Sequence, residues 1–297
     1  MRKRAIYALV MLGAAVIALW GAARSSPVGR TKAYFALQRG WAAHWPLNQG
    51  KAFPVRVRPV FEPFVPVRME VEPGVNMLLD PEDLVSREIL DTGQWEAESW
   101  TITKVHLPVG GTFVDVGAHI GYYSLKAARV VGPQGHVIAI EPNPDTVREL
   151  RDNIQASGAN VIAVQPVACS DSEAEVDLFA AKRANTGQTS LSRANAQRSG
   201  GVSAVYHVRA RPLDAIIQEA GVSRVDVIKI DVEGADLLVL KGAKQTLARY
   251  SPILIVEVAD EWLQAMGASP AELREFLRSQ GYTPRRSMRP FNIEFAK

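Results

Sequence analysis

Short apolar runs recur along the C-terminal two-thirds of the chain, and helix-like stretches separate them. The runs predict buried strands at residues 112–116, 137–140, 161–165, 225–230 and 253–258. Helical patterns lie between them, at residues 120–131, from the N-cap pair Asn143-Pro144, at residues 235–248 and from the capping box at Ser269. This alternation predicts an α/β fold with a mostly parallel sheet and helices on both faces. Ligands of such folds bind beyond the carboxyl ends of the strands, so functional residues are expected there.

The first 66 residues do not follow this pattern. A basic start, Arg2-Lys3-Arg4, precedes an uncharged run over residues 5–23, which nears the roughly 20 residues that cross a bilayer. We expect residues 1–24 to be an uncleaved membrane anchor, with a cleaved signal peptide or a mis-called start codon as alternatives. Prolines at positions 46, 54, 59, 63 and 66 predict a linker or extended cover over residues 25–66. Residues 67–297 would form the main domain.

The composition changes this picture little. Hydrophobic residues make up 47% of the chain and charged residues 22%, as in ordinary globular proteins. The net charge of +3 comes from scattered basic residues, so nucleic acid is not an expected partner. The single cysteine, Cys169, excludes an internal disulfide, and we expect it to pack rather than to react.

The first predicted strand runs into a glycine-containing loop. Asp115 lies near the end of the strand, and Gly117, His119 and Gly121 follow it. Glycines at this point allow a sharp turn and the close approach of a ligand to the backbone. The G-x-x-x-G spacing departs from the G-x-G-x-x-G fingerprint of dinucleotide binding, which argues against a pyrophosphate cradle.

Two further acidic residues follow the next strands. Glu141 ends the second strand, where a carboxylate can accept hydrogen bonds from ribose hydroxyls. Together with Asp115 and the glycines it predicts a nucleoside-type ligand. After the third strand, Asp171 could accept a hydrogen bond from an adenine amino group, although Ser170 or a plain turn would account for this segment equally well.

Carboxylates also end the fourth and fifth strands. Asp231 and Glu233 follow the fourth strand, and Glu257 lies near the end of the fifth. These side chains could orient an acceptor, take its proton or bind an amine of the ligand. No histidine accompanies them, so we do not predict a metal site. Lys229 lies within the fourth apolar strand and is expected to be paired. The polar segment over residues 182–203 either covers the acceptor or is a surface loop, and residues 282–295 are expected to form a closing hairpin.

These motifs together resemble the FkbM family of methyltransferases. The resemblance rests on four stretches in the family's order and spacing, which read FVDVGAHIGYYSLKAA, IAIEPNPDTVRELRDNI, VDVIKIDVEGADLLVLKGA and SPILIVEV. It implies a Rossmann-like class I methyltransferase fold, S-adenosylmethionine as the cofactor, and O-methylation of a sugar, a lipid-linked glycan or another natural product. The family often has asparagine where this chain has His119.

The resemblance also assigns residues to roles. Asp115, Gly117 and Gly121 match the family's first motif, and Glu141 matches its ribose-binding acid. Asp231, Glu233 and Gly234 match the signature that follows the fourth strand. His119, Asp171 and Glu257 are assigned from their positions alone, the first two to the cofactor and the third to the acceptor pocket.

Two other functional classes remain open at this stage. One is a nicotinamide-dependent oxidoreductase, against which the missing third glycine counts. The other is a membrane-tethered binding module without catalysis. Because S-adenosylmethionine is a cytosolic metabolite, we expect the catalytic domain on the cytosolic side of the membrane, with a cytoplasmic chain or an exported one as alternatives. The acceptor and the oligomeric state are not predicted.

Overall fold

The computed structural model describes residues 21, 26–44, 58, 61–62, 64–288 and 290–297. These residues fall into two compact units. The first unit takes the described residues of Met1–Val71 together with Leu78–Trp95. The second takes Glu72–Met77 and Glu96–Lys297, and it contains every residue that we predict in the site.

The strands and helices are numbered separately in chain order. The strands are β1 (Val67–Glu72), β2 (Val75–Leu79), β3 (Thr112–Val116), β4 (His136–Ile140), β5 (Ile162–Gln165), β6 (Ala168–Ser170), β7 (Ala174–Ala181), β8 (Val202–Pro212), β9 (Val227–Ile230), β10 (Ile253–Glu257), β11 (Thr283–Ser287) and β12 (Asn292–Ala296). The helices are α1 (Pro27–His44), α2 (Leu84–Thr92), α3 (Ala97–His106), α4 (Tyr122–Val131), α5 (Pro144–Ser157), α6 (Arg193–Arg198), α7 (Leu213–Ala220), α8 (Asp236–Lys241), α9 (Lys244–Tyr250), α10 (Asp260–Ala265) and α11 (Pro270–Ser279). Short 3₁₀ helices cover Gly132–Gln134 and Arg183–Gln188.

A seven-stranded sheet forms the centre of the second unit, in the order β11-β12-β10-β9-β3-β4-β5. The five strands from β10 to β5 are parallel, and β12 and β11 add an antiparallel edge. All residues of β3 and β9 are buried, as expected of strands with helices on both faces. The predicted Rossmann-like fold with a mostly parallel sheet is confirmed, and β11 and β12 form the expected closing hairpin.

Side-chain capping explains where two of the predicted helices begin. Asn143 caps α5 by accepting a hydrogen bond from the Asp145 N–H, with proline in the first turn. Ser269 caps α11 in the same way through the Glu272 N–H, and its hydroxyl donates to the Glu272 carboxylate.

The expected single helix over residues 235–248 is two helices, α8 and α9. The break occurs at Gly242, where a Cβ atom would collide with the backbone oxygen of Ser170. The close approach of another strand, rather than local propensity, therefore sets this boundary. The unit also contains a second sheet of the order β6-β8-β7, which the apolar pattern had not predicted.

The first unit contains a helix where a proline-rich linker was expected. The prolines that suggested a linker begin at residue 46, whereas α1 has only Pro27, at its first turn, where proline is tolerated. Tyr34 and Phe35 of α1 are buried and lie with Phe61 and Phe64 in an aromatic cluster, with ring centroids 4.9 to 5.6 Å apart. This expectation was therefore wrong for Pro27–His44, because α1 buries apolar surface.

The hydrophobic run over residues 5–23 lies outside the described residues, apart from Gly21. Within the described ranges, no helix has both the length and the apolar character needed to cross a membrane. The membrane anchor stays a prediction from the sequence.

Candidate active site

The loop after β3 is shaped by two glycines. Gly117 has a φ of +85°, and a Cβ atom there would collide with the backbone oxygen of Asp231. Gly121 has a φ of +94° and precedes α4. Only glycine adopts both the backbone angle and the close contact without strain. The loop after β3 therefore lies directly against the loop after β9.

Asp115 anchors this loop from inside the sheet. It is buried, and one carboxyl oxygen accepts a hydrogen bond from the Ser124 hydroxyl at 2.6 Å. Burial raises the pKa of Asp115 to about 6, against the opposing effect of the Lys229 ammonium. Its other oxygen, Oδ1, has no hydrogen-bond partner among the described residues. That oxygen remains available to a ligand.

Glu141 links the loops that follow β3 and β4. Its two carboxyl oxygens accept hydrogen bonds from the backbone N–H groups of His119 and Asn143, both at 2.9 Å. Burial raises the pKa of Glu141 to about 7, although these two hydrogen bonds oppose the shift. The residue is only 6% exposed. Each carboxyl oxygen retains a second lone pair, so Glu141 can still accept from a ligand.

His119 has a positive φ of 50°, which is uncommon for a residue other than glycine. Its ring Nε2 lies 2.8 Å from the Thr186 hydroxyl. The histidine thus joins the β3 loop to the segment 183–191, which we call the cover segment. A positioning role, rather than a role as a base, agrees with this contact.

The cover segment and the strand ends enclose one cleft. Gly117, Glu141 and Asp231 line it on the side of the central sheet, and Thr186 and Ser190 line it on the side of the cover segment. The cleft is open to solvent on one side. Apolar side chains from Ile140, Val167 and Leu178 complete the wall. The polar segment 182–203 therefore contributes directly to the candidate site.

Asp171 does not join this cleft. It is exposed, and its carboxylate accepts hydrogen bonds only from its neighbours Ser170 and Ser172 among the described contacts. Cys169, two residues earlier, lines the cleft and is buried, and burial raises the pKa of its thiol. Of the predicted site residues, Gly117, His119, Glu141 and Asp231 line the cleft, and Asp171 does not.

Asp231, Glu233 and Glu257 converge at the ends of β9 and β10. Each offers a carboxyl oxygen that lies within 4.8 Å of those of the other two. Burial and the charges of Asp231 and Asp236 raise the pKa of Glu233 well above its ordinary value. Burial and the charges of Asp231 and Glu233 do the same for Glu257. Both carboxyl groups therefore hold a proton more tightly than an exposed glutamate does.

Lys229 lies beside this cluster. Its ammonium donates a hydrogen bond to Asp231 at 2.6 Å, as expected for a buried lysine with a partner. Burial alone would lower the pKa of Lys229, but the charges of Asp231, Glu96 and Asp115 raise it. Its Nζ also lies 4.8 Å from the centroid of the Tyr123 ring.

Glu96 is a member of the site that the sequence did not reveal. Its carboxylate accepts hydrogen bonds from the Tyr123 hydroxyl at 3.0 Å and from Asn292 Nδ2 at 2.8 Å. Burial raises the pKa of Glu96, whereas the charge of Lys229 lowers it. Glu96 and Asn292 lie far apart in the chain and at no predicted strand end, so only the tertiary fold brings them together.

Comparison with known proteins agrees with this geometry. The family model described as "Methyltransferase FkbM domain" matches residues 115–284, which is more than half of the chain. The hexuronic acid methyltransferase AglP of Haloferax volcanii is 28% identical over 144 residues, which are 48% of this chain and 54% of AglP. The AMB antimetabolite synthetase AmbE of Pseudomonas aeruginosa is 27% identical over 215 residues, which are 62% of this chain and 10% of AmbE.

Solved structures are similar to the chain at lower identity. An FkbM methyltransferase from Methylobacillus flagellatus has 17% identity and a TM-score of 0.45, over 91% of this chain and 60% of that one. Fibrillarin from Aeropyrum pernix, with S-adenosylmethionine bound, has 11% identity and a TM-score of 0.41, over 67% of this chain and 75% of that one. From the family model that matches its strand ends and its carboxylates, we conclude that the chain belongs to the FkbM methyltransferase family.

Proposed function

We propose that the chain transfers a methyl group from S-adenosylmethionine to a hydroxyl group of a sugar, a glycolipid or another natural product. The observation that carries the proposal is the position of Glu141. Its buried carboxyl group lies in the cleft, next to the glycine loop of β3, and Asp231 lines the same cleft. This is the position at which a Rossmann-like fold binds a ribose.

The residues present suit this cofactor. The unused lone pairs of Glu141 can accept from two ribose hydroxyls. The backbone at Gly117 can approach a ligand closely because it carries no Cβ atom. The carboxylates of Asp115 and Asp231 lie at the strand ends nearby, where they would attract the positive sulfonium and ammonium groups of the cofactor.

The bound cofactor supplies an electrophilic methyl group, and the protein supplies orientation and proton transfer. The carboxyl groups of Asp231, Glu233 and Glu257 lie together at the strand ends, and one of them, when ionised, can accept the proton of a hydroxyl acceptor. Asp231 is held in place by Lys229 and lines the cleft, where it can orient the acceptor. A sugar hydroxyl as acceptor is supported by the partial similarity to a hexuronic acid methyltransferase.

Calorimetric titration tests the cofactor. We expect S-adenosylmethionine and its demethylated product, S-adenosylhomocysteine, to bind the purified chain, and NAD⁺ not to bind. Glu141→Ala should weaken S-adenosylhomocysteine binding by about tenfold or more, because two ribose hydroxyls lose a charged partner. Glu175→Ala is the control, since Glu175 is an exposed residue of β7. Tight NAD⁺ binding, or equal affinities in the two variants, would contradict the proposal.

Comparative mass spectrometry tests the acceptor. Glycans and lipids from a strain that lacks the gene should differ from those of the parent strain by the loss of a methyl group on one sugar hydroxyl. Restoring the wild-type gene should return the methyl group, whereas a gene with Asp231→Ala and Glu233→Ala should not. A methyl group that is lost from nitrogen or carbon instead would refute hydroxyl specificity.

A further inference from the structure

Two buried carboxyl oxygens at the ends of β9 and β10 lack any hydrogen-bond partner among the described residues. They are Oε2 of Glu233 and Oε2 of Glu257. A buried polar atom without a partner is costly, and native proteins rarely keep one without a reason. Both atoms belong to side chains whose carboxyl oxygens lie within 4.8 Å of one another and of Asp231, which indicates a binding site for a positively charged ligand.

The protein holds Glu233 in position from the backbone side. Its carbonyl oxygen accepts hydrogen bonds from the Ser190 hydroxyl and from Asn195 Nδ2, both at 2.9 Å. As whole residues Asp231, Glu233 and Glu257 are each partly exposed, although the unpartnered oxygen of Glu233 is buried. Asp231 lines the cleft, so an ion can reach the cluster from there.

Lys229 does not neutralise this cluster. Its ammonium donates to one oxygen of Asp231, Oδ2, which leaves the other oxygen of Asp231 for a second cation. Cation binding requires the three carboxyl groups to be ionised, and their charges then exceed that of the one adjacent ammonium.

We propose that Asp231, Glu233 and Glu257 bind one divalent cation of the hard class, such as Mg²⁺ or Mn²⁺. The donor set consists of oxygen alone, which such cations prefer and which soft or nitrogen-seeking metals do not. Water and the acceptor would complete the coordination shell, because three protein oxygens fill only part of it. The sequence had favoured carboxylates without a metal, because no histidine accompanies them, but an all-oxygen site needs none.

The role of this cation rests on the proposed function. A hydroxyl acceptor bound to it would be oriented and made more acidic, as metal-bound water is. Binding of the cation itself needs neither cofactor nor acceptor. The two can therefore be tested apart.

Titration of Mn²⁺ followed by electron paramagnetic resonance tests the site directly. The full chain is freed of metal with a chelator and then titrated with MnCl₂, without cofactor or acceptor. We expect one bound Mn²⁺ per chain, displaced by MgCl₂. Glu233→Gln and Glu257→Gln should each weaken Mn²⁺ binding by at least about tenfold, because each removes a ligand charge. The control, Glu175→Gln, should bind like the wild type.

Thermal unfolding separates loss of the site from loss of the fold. Without metal, Glu233→Gln should be at least as stable as the wild type, since it removes one of several repelling charges. With Mn²⁺, the wild type should become more stable and Glu233→Gln should not. Wild-type protein that binds S-adenosylhomocysteine but no Mn²⁺, or a Glu233→Gln variant that binds Mn²⁺ like the control, would overturn the cation site alone. Binding of Mn²⁺ without S-adenosylhomocysteine would support the cation site and contradict the cofactor.

Discussion

Gly117 is a position in the site where both the backbone angle and the space available require glycine. Its φ of +85° disfavours every other residue type, and its Cα faces the backbone oxygen of Asp231. Any side chain at this position must push the β3 loop away from the β9 loop. The distance between the β3 loop and the backbone of Asp231 therefore depends on the absence of a side chain at residue 117.

Replacement of this glycine gives a prediction at the residue scale. Gly117→Ala should lower the free energy of unfolding by about 2–5 kcal/mol, from the backbone strain and the collision together. Gly158→Ala is a matched control, because Gly158 also has a positive φ, of +59°, but open space around it. That control should cost only about 1–2 kcal/mol. Urea denaturation measures both, and equal losses would show that the contact with Asp231 is unimportant.

At the scale of elements, the cover segment connects both ends of the cleft. Thr186 contacts His119 on the cofactor side, and the Ser190 hydroxyl donates to the Glu233 backbone on the acceptor side. Ser190 is paired with Phe179 of β7 through two backbone hydrogen bonds, so only the part of the segment before it can open without breaking strand pairing. We expect it to control how fast ligands leave.

Removal of one of these bonds tests that expectation. Ser190→Ala removes the donation to Glu233 and the acceptance from the Ser192 N–H, and it should speed the dissociation of S-adenosylhomocysteine about threefold to tenfold. Ser172→Ala, on an exposed turn, serves as the control. Stopped-flow displacement measures both rates. Unchanged dissociation in Ser190→Ala would mean that the cover segment does not retain the ligand.

The elements that the sequence predicted are those whose pattern is local. The strands β3, β4 and β10 appear as apolar runs, and caps at Asn143 and Ser269 mark helix starts. The second sheet was missed although β8 alternates between partly buried and exposed positions over most of its length, which is a strand signal. The helix α1 was not predicted, because the prolines that indicate a linker all lie after it, between residues 46 and 66.

The residues of the candidate site also differ in whether a local sequence pattern reveals them. Gly117, Glu141 and Asp231 could be predicted because each follows a recognisable strand, and the fold rule places strand ends together. Glu96 could not, because its contacts with Tyr123 and Asn292 join distant parts of the chain. Asp171 follows a strand as the others do, but its strand, β6, belongs to the second sheet, and its side chain is exposed.

At the scale of the whole molecule, buried carboxylates make stability depend on pH. Burial raises the pKa of Asp236 to about 7, and the charge of Asp231 adds to the shift. Burial likewise raises the pKa of Asp115 to about 6 and the pKa of Glu141 to about 7. Because the folded state holds these protons more tightly than the unfolded state, their contribution to stability is complete below pH 4 and is lost as the pH rises through about 7.

A neutral substitution should remove part of this dependence. Asp236→Asn should reduce the loss of unfolding free energy between about pH 5 and pH 8 by a few kcal/mol, since a rise in pKa from 3.8 to about 7 corresponds to about 4 kcal/mol. Asp152→Asn, at an exposed position in α5, is the control and should keep the wild-type slope. Urea denaturation of the ligand-free protein across this pH range measures it. Parallel curves for the two variants would disprove the assignment.

The negative excess around the cleft also gives turnover a direction. In the proposed reaction, donation of the methyl group would leave a thioether, so the spent cofactor would lose the positive charge that its precursor carries. The carboxylates that attract the precursor would attract the spent molecule less. The site that recruits the donor would thus favour expulsion of the by-product and resist inhibition by it.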